Sequence, residues 1–254
     1  MEKIINRKPF QGLTNIIRFN WHFYLLAIIS ISILAFIRIY WFQNFYFDIL
    51  QILILFSFLA SLVVSSYVYD YSGFYKMDWL QQINFNRTAT IANINAGFDE
   101  TSAILQSKFQ TSELLVFDFY DPKKHTEVSI KRARKLYPSY PGTISIDTKT
   151  IPFGDSKIDS VFLIFAVHEI RNQEERITFF KELNRVLHDD GKIILIEHLR
   201  DFANFSAFNI GFFHFYSKRN WIKTVQNSNL KIASETKLTP FTSLFIISKN
   251  GITS

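Results

Sequence analysis

Hydrophobic and polar positions follow two different rules along this chain. No Lys, Arg, Asp or Glu occurs over residues 19–37, and residues 23–37 read FYLLAIISISILAFI. A second uncharged run covers residues 49–69, ILQILILFSFLASLVVSSYVY. Neither run has a polar face at the helical period. Each approaches the ~20 residues a helix needs to cross a hydrocarbon core roughly 30 Å thick. They predict two transmembrane helices, with a re-entrant hairpin or two buried helices as alternatives. The connection, residues 38–48, puts Tyr40, Trp41, Phe42, Tyr46 and Phe47 where aromatic rings gather at a membrane surface. Lys3, Arg7, Lys8 and Arg18 precede the first run, and Arg38 is the only basic residue of the connection. This bias predicts that both ends face the cytoplasm. The bulky IRIYWF after the first run offers no small-residue cleavage site, which argues against a removable leader.

Beyond residue 70 the pattern is mixed. Phe74, Met77, Trp79, Leu80 and Ile83 suggest one face of a short linker helix. Strands and helices then alternate. Strands are predicted at residues 90–94, 113–117, 143–147, 158–165 and 192–197, and helices at 99–109, 126–136 and 173–187. Two further strands, near residues 230–234 and 243–248, have little between them and suggest an antiparallel edge. The alternation predicts an α/β domain around a mostly parallel sheet. The expected organisation is a cytoplasmic segment (1–20), a transmembrane hairpin (21–69), a linker helix (70–86) and a folded domain (87–254). In such sheets ligands bind beyond the carboxyl ends of the strands, so functional residues are expected there.

Composition narrows the chemistry. The 254 residues are 48% hydrophobic, with 28 Phe among 17% aromatics, which fits a large core or contact with lipid. The absence of cysteine removes disulfides, thiolate metal sites and Cys nucleophiles. A net charge of +6 is too mild to argue for nucleic acid. No G-x-G-x-x-G and no G-x-S-x-G occur. The six histidines show no H-x-x-x-H spacing, so no metal site is expected.

Residues 147–201 carry a more specific pattern. It runs from Asp147 through Ile151-Pro152-Phe153 and Ile158-Asp159-Ser160-Val161 to Phe165-Ala166-Val167-His168-Glu169-Ile170. It continues with Glu182-Leu183-Asn184-Arg185-Val186-Leu187 and Gly191 to Glu197, ending at His198-Leu199. In order and spacing this resembles a class I S-adenosylmethionine-dependent methyltransferase. The resemblance implies a Rossmann-like, doubly wound sheet with S-adenosylmethionine as cofactor. The family's glycine-rich first motif aligns with residues 93–99, NINAGFD, where Gly97 alone survives. Asn95 tolerates the turn next best after glycine, and Asp99 repels the cofactor's carboxylate while suiting its ammonium. The resemblance assigns Asn93, Asn95 and Gly97 to the cofactor loop, Asp118 to the ribose hydroxyls, Asp147 to the adenine amine and Phe165 to the methionine end.

Methyl transfer from a sulfonium needs mainly positioning, and a base only if the acceptor must lose a proton. His168 and His198 are the favoured candidates, with Glu169, Glu197 and His214 nearby in the pattern. The basic stretch Lys123, Lys124, His125, Lys131, Arg132, Arg134 and Lys135 fits a solvated helix face or anionic headgroups. Residues 202–216 hold six Phe and a Tyr and suggest an aromatic core helix, an apolar substrate entrance or a membrane contact. The expectation is a methyltransferase at the cytoplasmic membrane, its catalytic domain in the cytoplasm. Its partners would be membrane lipids and a lipophilic acceptor: a quinone, a lipid or a phenolic or aryl-polyene pigment precursor. The last follows from a resemblance of AGFDETS and DFYDPKKHTEVSIKRAR to methyltransferase-like proteins of bacterial pigment clusters. The rival is a degenerate methyltransferase fold serving as a membrane scaffold.

Overall fold

The computed structural model describes residues 7–83, 89–125 and 127–251. Lys3, residues 84–86 of the expected linker, Arg87 and Thr126 lie outside them. Two long helices come first, α1 (Gln11–Tyr40) and α2 (Tyr46–Ser66), the latter running on into a π-helical turn, Tyr67–Tyr71. Both are long and apolar enough to cross a membrane. Their apolar side chains point outward, with Leu26 60% and Ile52 65% exposed. At Asn20 (φ −116°, ψ 18°) the helical path of α1 is interrupted. Below that kink Asn15 and Phe19 are buried, whereas beyond it most side chains are exposed. The kink therefore separates a docked foot from the apolar arm. Arg38 and Asp48 pair at 2.6 Å across the tip of the hairpin.

The rest of the chain builds one seven-stranded sheet. Its strands are β1 (Thr90–Asn95), β2 (Glu113–Asp118), β3 (Ile144–Ser145), β4 (Ile158–Ile164), β5 (Leu187–His198), β6 (Leu230–Thr239) and β7 (Thr242–Lys249). The order is β3-β2-β1-β4-β5-β7-β6. β1 to β5 run parallel, and β7 runs antiparallel to both its neighbours, so the expected antiparallel edge is present. The helices are α3 (Ser102–Lys108), α4 (Val128–Leu136), α5 (Gln173–Val186), α6 (Phe202–Phe208) and α7 (Lys218–Gln226).

Alternating residues of the central strands feed two cores. Ala92, Ile94, Val161, Leu163, Ile193 and Leu195 pack with Phe179, Phe180 and Leu183 of α5 and Trp221 of α7. Ile91, Phe162, Ile194 and Ile196 face the other way, onto Leu105 of α3 and Phe74, Met77, Trp79, Leu80 and Ile83. Each fully buried aromatic or aliphatic side chain contributes about 1.5–3 kcal/mol. The segment expected as one linker helix is thus part of the core. It forms two 3₁₀ stretches, Phe74–Lys76 and Asp78–Gln82, because Met77 between them sits at φ +56° and cannot continue a helix. Two strands also differ from expectation. β3 is only two residues long. β5 begins at Leu187, with a bulge at its start that absorbs the Asp189-Asp190-Gly191 turn.

Candidate functional site at the carboxyl edge of the sheet

The parallel strands deliver Asn95, Asp118, Phe165 and His198 to one edge, with Asp147 in the loop after β3. Asn95 and Asp118 are direct register partners on β1 and β2. The turn after β1 is built by side chains in place of the missing glycines. Asn95 Oδ1 accepts from Gly97 N at 3.2 Å, and Gly97 takes φ +92°. A Cβ at Gly97 would meet Tyr120 Cδ2 at 2.9 Å and Arg134 Nη1 at 3.0 Å, so the position demands glycine. Asn93 lies beneath, donating to Thr101 Oγ1 and Ser102 Oγ at 3.0 and 2.8 Å. Asp99 Oδ1 accepts from the backbone N–H groups of Thr101 and Ser102.

Two buried polar atoms at this turn have no hydrogen-bond partner among the described residues, Asn95 Nδ2 and Asp99 Oδ2. One is a donor and the other an acceptor, as an amino-acid carboxylate and ammonium require. Asp118 is buried, accepting from Tyr120 N through Oδ1 and pairing with Arg134 Nη1 at 2.6 Å through Oδ2. Arg134 also donates to Gly97 O and lies over the Tyr120 ring. Beyond Asp118 a cavity of about 310 Å³ opens between the ends of β2 and β3, lined by Tyr120, Asp121, Ile146, Asp147 and Thr148. Asp147 itself is exposed and accepts from Lys149 N and Thr150 N. The donor set therefore fits S-adenosylmethionine: an unpaired donor and acceptor for its amino-acid end, a buried carboxylate for its ribose, and a cavity beside the second acid.

At the neighbouring strand ends the candidate bases have different surroundings. Phe165 is held at φ +49°, a conformation that costs a bulky side chain about 1–3 kcal/mol. Its ring stacks on His198 at 4.9 Å and lies against Phe74 and Tyr69. His198 is buried. Its Nδ1 bonds Phe241 O at 2.9 Å, which fixes Nε2 as the acceptor from Tyr69 Oη at 2.8 Å. Burial pushes His198 down to about 4, only partly offset by the Phe241 carbonyl, so it is neutral with both ring nitrogens engaged. His168 is its opposite. Burial disfavours its charge, but the carboxylates of Glu197 and Glu169 outweigh that and push it up to about 10. Its Nδ1 meets Glu197 Oε2 at 2.7 Å. Glu197 is fully buried, and its other oxygen accepts from the N–H groups of Val167 and His168. Burial would raise Glu169, but His168 and His214 hold it well below the usual carboxylate range.

The foot of the hairpin lies on this same edge, which the sequence pattern did not announce. Glu100, next to Asp99, accepts from Gln11 Nε2 at 3.0 Å, Asn15 Nδ2 at 3.1 Å and Tyr75 Oη at 2.8 Å, and pairs with Arg7 at 3.1 Å. Asp70 accepts from the first free N–H groups of α1, Gly12 and Leu13. Tyr137 at the end of α4 donates to Asn15 Oδ1, and Phe19 packs edge-on against Phe98. Much of the basic stretch is spent internally: Lys124 pairs with Glu175, Arg132 donates to Phe19 O, and Arg134 pairs with Asp118. The aromatic segment forms α6 and a 3₁₀ stretch, Asn209–His214. α6 packs against α2, and Phe202, Ile210 and Phe213 remain largely exposed.

Comparison with known proteins agrees with this architecture. Residues 121–195 match the family described as a methyltransferase domain. A ubiquinone/menaquinone biosynthesis C-methyltransferase, UbiE of Citrifermentans bemidjiense, is 25% identical over 121 residues, 46% of this chain and 49% of the relative. The matched region thus spans about half the length of that curated relative. Among solved structures, a SAM-dependent methyltransferase from Aquifex aeolicus superposes with a TM-score of 0.50 at 14% identity, over 70% of this chain and 93% of that one. A chain of the Haloferax volcanii complex between the Trm112 methyltransferase activator and a methyltransferase gives 0.51 at 12% identity, over 72% and 91%. The folded domain shares the fold of these S-adenosylmethionine-dependent methyltransferases, and residues 121–195 match the methyltransferase domain.

Proposed function

We propose that the protein is a membrane-anchored methyltransferase that transfers the methyl group of S-adenosylmethionine to a lipophilic small molecule. The observation that carries this reading is the docking of the apolar hairpin onto the edge that presents Asn95, Asp99, Asp118 and Phe165. Glu100 ties the foot of α1 to the cofactor turn, and Tyr69 in the π-helical turn after α2 bonds His198 at the end of β5. An acceptor dissolved in a bilayer would reach this edge along α2 and the exposed phenylalanines of α6. The relative is named for ubiquinone and menaquinone biosynthesis, and quinones belong to that chemical class. Phenolic pigment precursors and lipids share it.

S-adenosylmethionine supplies an already activated methyl group, so the chain's own work is positioning and exclusion of water. Asn95 Nδ2 and Asp99 Oδ2 would hold the amino-acid end. Asp118 would hold the ribose once Arg134 yields one carboxylate oxygen, and Asp147 would border the adenine. Phe165 would set the wall between cofactor and acceptor. Neither expected base stands free in this state: both nitrogens of His198 are committed to Phe241 and Tyr69, and His168 is held charged between Glu197 and Glu169, so the transfer rests on positioning.

Calorimetric titration of the full chain in nanodiscs with S-adenosylmethionine and S-adenosylhomocysteine tests the reading. Micromolar affinity is expected, followed by methyl transfer to a quinol or phenol supplied in the bilayer. A second reading, a methyltransferase fold kept as a membrane scaffold, draws on the Arg134–Asp118 pair at 2.6 Å and on the substituted glycine positions. Absence of binding at millimolar ligand, with the protein folded, would decide for it.

A further inference from the structure

The edge carries a second constellation that methyl transfer does not require. Glu169 follows β4, in a 3₁₀ turn with His168, and His214 ends the 3₁₀ stretch after α6. His168 Nε2 and His214 Nε2 each lie 3.4 Å from the same atom, Glu169 Oε1. One ligand atom from each of the three residues lies within 4.8 Å of the other two. A separation of 3.4 Å is long for an N–H···O hydrogen bond, which peaks at about 2.9–3.0 Å. It equals the edge of a tetrahedron whose corners stand about 2.0–2.1 Å from a central ion.

The far nitrogens complete the pattern. His168 Nδ1 bonds Glu197 Oε2 at 2.7 Å, and His214 Nδ1 meets Glu127 Oε1 at 3.0 Å. Metal-bound histidines commonly give their other ring N–H to a carboxylate, which fixes the tautomer and raises ligand basicity. His168 does so here, His214 Nδ1 lies within reach of Glu127, and both rings leave Nε2 turned to one carboxylate oxygen. The Arg171 guanidinium also contacts this cluster. It donates to His214 O at 2.6 Å, lies 3.0 Å from His214 Nε2 and close to its Nδ1, and pairs with Glu127 at 3.3 Å. Its side chain is 43% exposed, so it can turn out to solvent.

We propose that His168 Nε2, Glu169 Oε1 and His214 Nε2 bind one divalent transition-metal ion of the zinc class, leaving an open position toward the acceptor. Two imidazoles and one carboxylate suit Zn²⁺ and related ions rather than Mg²⁺ or Ca²⁺, which prefer all-oxygen sites. The ion would orient an acceptor hydroxyl and lower its pKa. That role rests on the methyl-transfer reading; the binding of the ion does not.

The test uses the full chain in nanodiscs, stripped with a chelator and titrated with Zn²⁺ by calorimetry, then loaded with Co²⁺ for its visible spectrum. One ion per chain at micromolar or tighter affinity is expected, with a tetrahedral Co²⁺ absorption. His214→Ala and Glu169→Gln should weaken binding at least thirtyfold, and Glu127→Gln roughly tenfold. Arg171→Met should tighten it, which a purely structural hydrogen-bond cluster would not do. His188→Ala, at the opposite end of β5, should change nothing. Failure of the folded wild type to take up one ion, or wild-type affinity in His214→Ala, would overturn the proposal. S-adenosylmethionine binding measured on the same sample separates this failure from failure of the methyltransferase reading.

Discussion

His198 shows how a single buried group can report on the assembly of the whole edge. Its pKa in the folded protein is pushed down to about 4 from an ordinary 6.5, chiefly by burial. The unfolded chain therefore takes up a proton between those values and the folded one does not. Stability is full above pH 6.5 and falls as the pH drops toward 4, by about 3 kcal/mol for a shift of this size. Denaturation measured from pH 7 to pH 4 should show this slope in the wild type and lose it in His198→Asn. Equal slopes would mean that His198 is solvated or charged in the folded state. Asp118 gives the second test at this scale. It is the buried carboxylate beside the cavity, so Asp118→Ala should weaken S-adenosylmethionine binding at least tenfold, about 1.4 kcal/mol. Unchanged affinity in that variant would leave Asp118 as the partner of Arg134 alone.

At the scale of elements, the joint between α1 and the turn after β1 rests on Glu100. Its carboxylate collects Arg7, Gln11, Asn15 and Tyr75, and its side chain is only 10% exposed. Removing it leaves several buried donors unpaired, at a cost of about 2–4 kcal/mol. Glu100→Ala should sharply lower amide exchange protection over residues 11–19 while β4 and β5 stay protected. Glu100→Gln, which keeps an acceptor, should fall between. Unaltered protection in the Ala variant would show that packing of Phe19 on Phe98 suffices. This joint was not legible in the sequence, whereas the sheet was. Runs such as ELLVF and IDSVFLIF announce buried strands through local pattern, and Asp118 and His168 follow from sitting just after them. Glu100 meets residues 85 and 89 positions away. His214 meets His168 and Glu169 across about half that gap, and Arg134 reaches back from α4 to Asp118. No periodicity encodes such contacts, because they arise only once the strand ends are aligned. The 3₁₀ turns around Met77 were hidden for the opposite reason: their apolar spacing imitates a helix, and the positive φ that breaks it leaves no mark in composition.

The whole molecule joins an apolar hairpin to the sheet domain through a kink at Asn20 and a foot bonded to the turn after β1. If the hairpin crosses the bilayer, this geometry fixes which compartment supplies the cofactor. The aromatic tip around Trp41 and Phe42 would lie on the far side, its charges reduced to the Arg38–Asp48 pair. The sheet, α7 and the basic residues before α1 would lie in the cytoplasm. The chain contains no cysteine, so a single introduced thiol can be read without background. Asn44→Cys, at the exposed tip, should react with a membrane-impermeant maleimide added to intact cells stripped of outer layers. Lys223→Cys, exposed on α7, should react only after permeabilisation. Protection of both until permeabilisation would mean a hairpin that enters and leaves one leaflet. The edge would still face the membrane from the cytoplasm, and the acceptor would then be drawn from that leaflet alone.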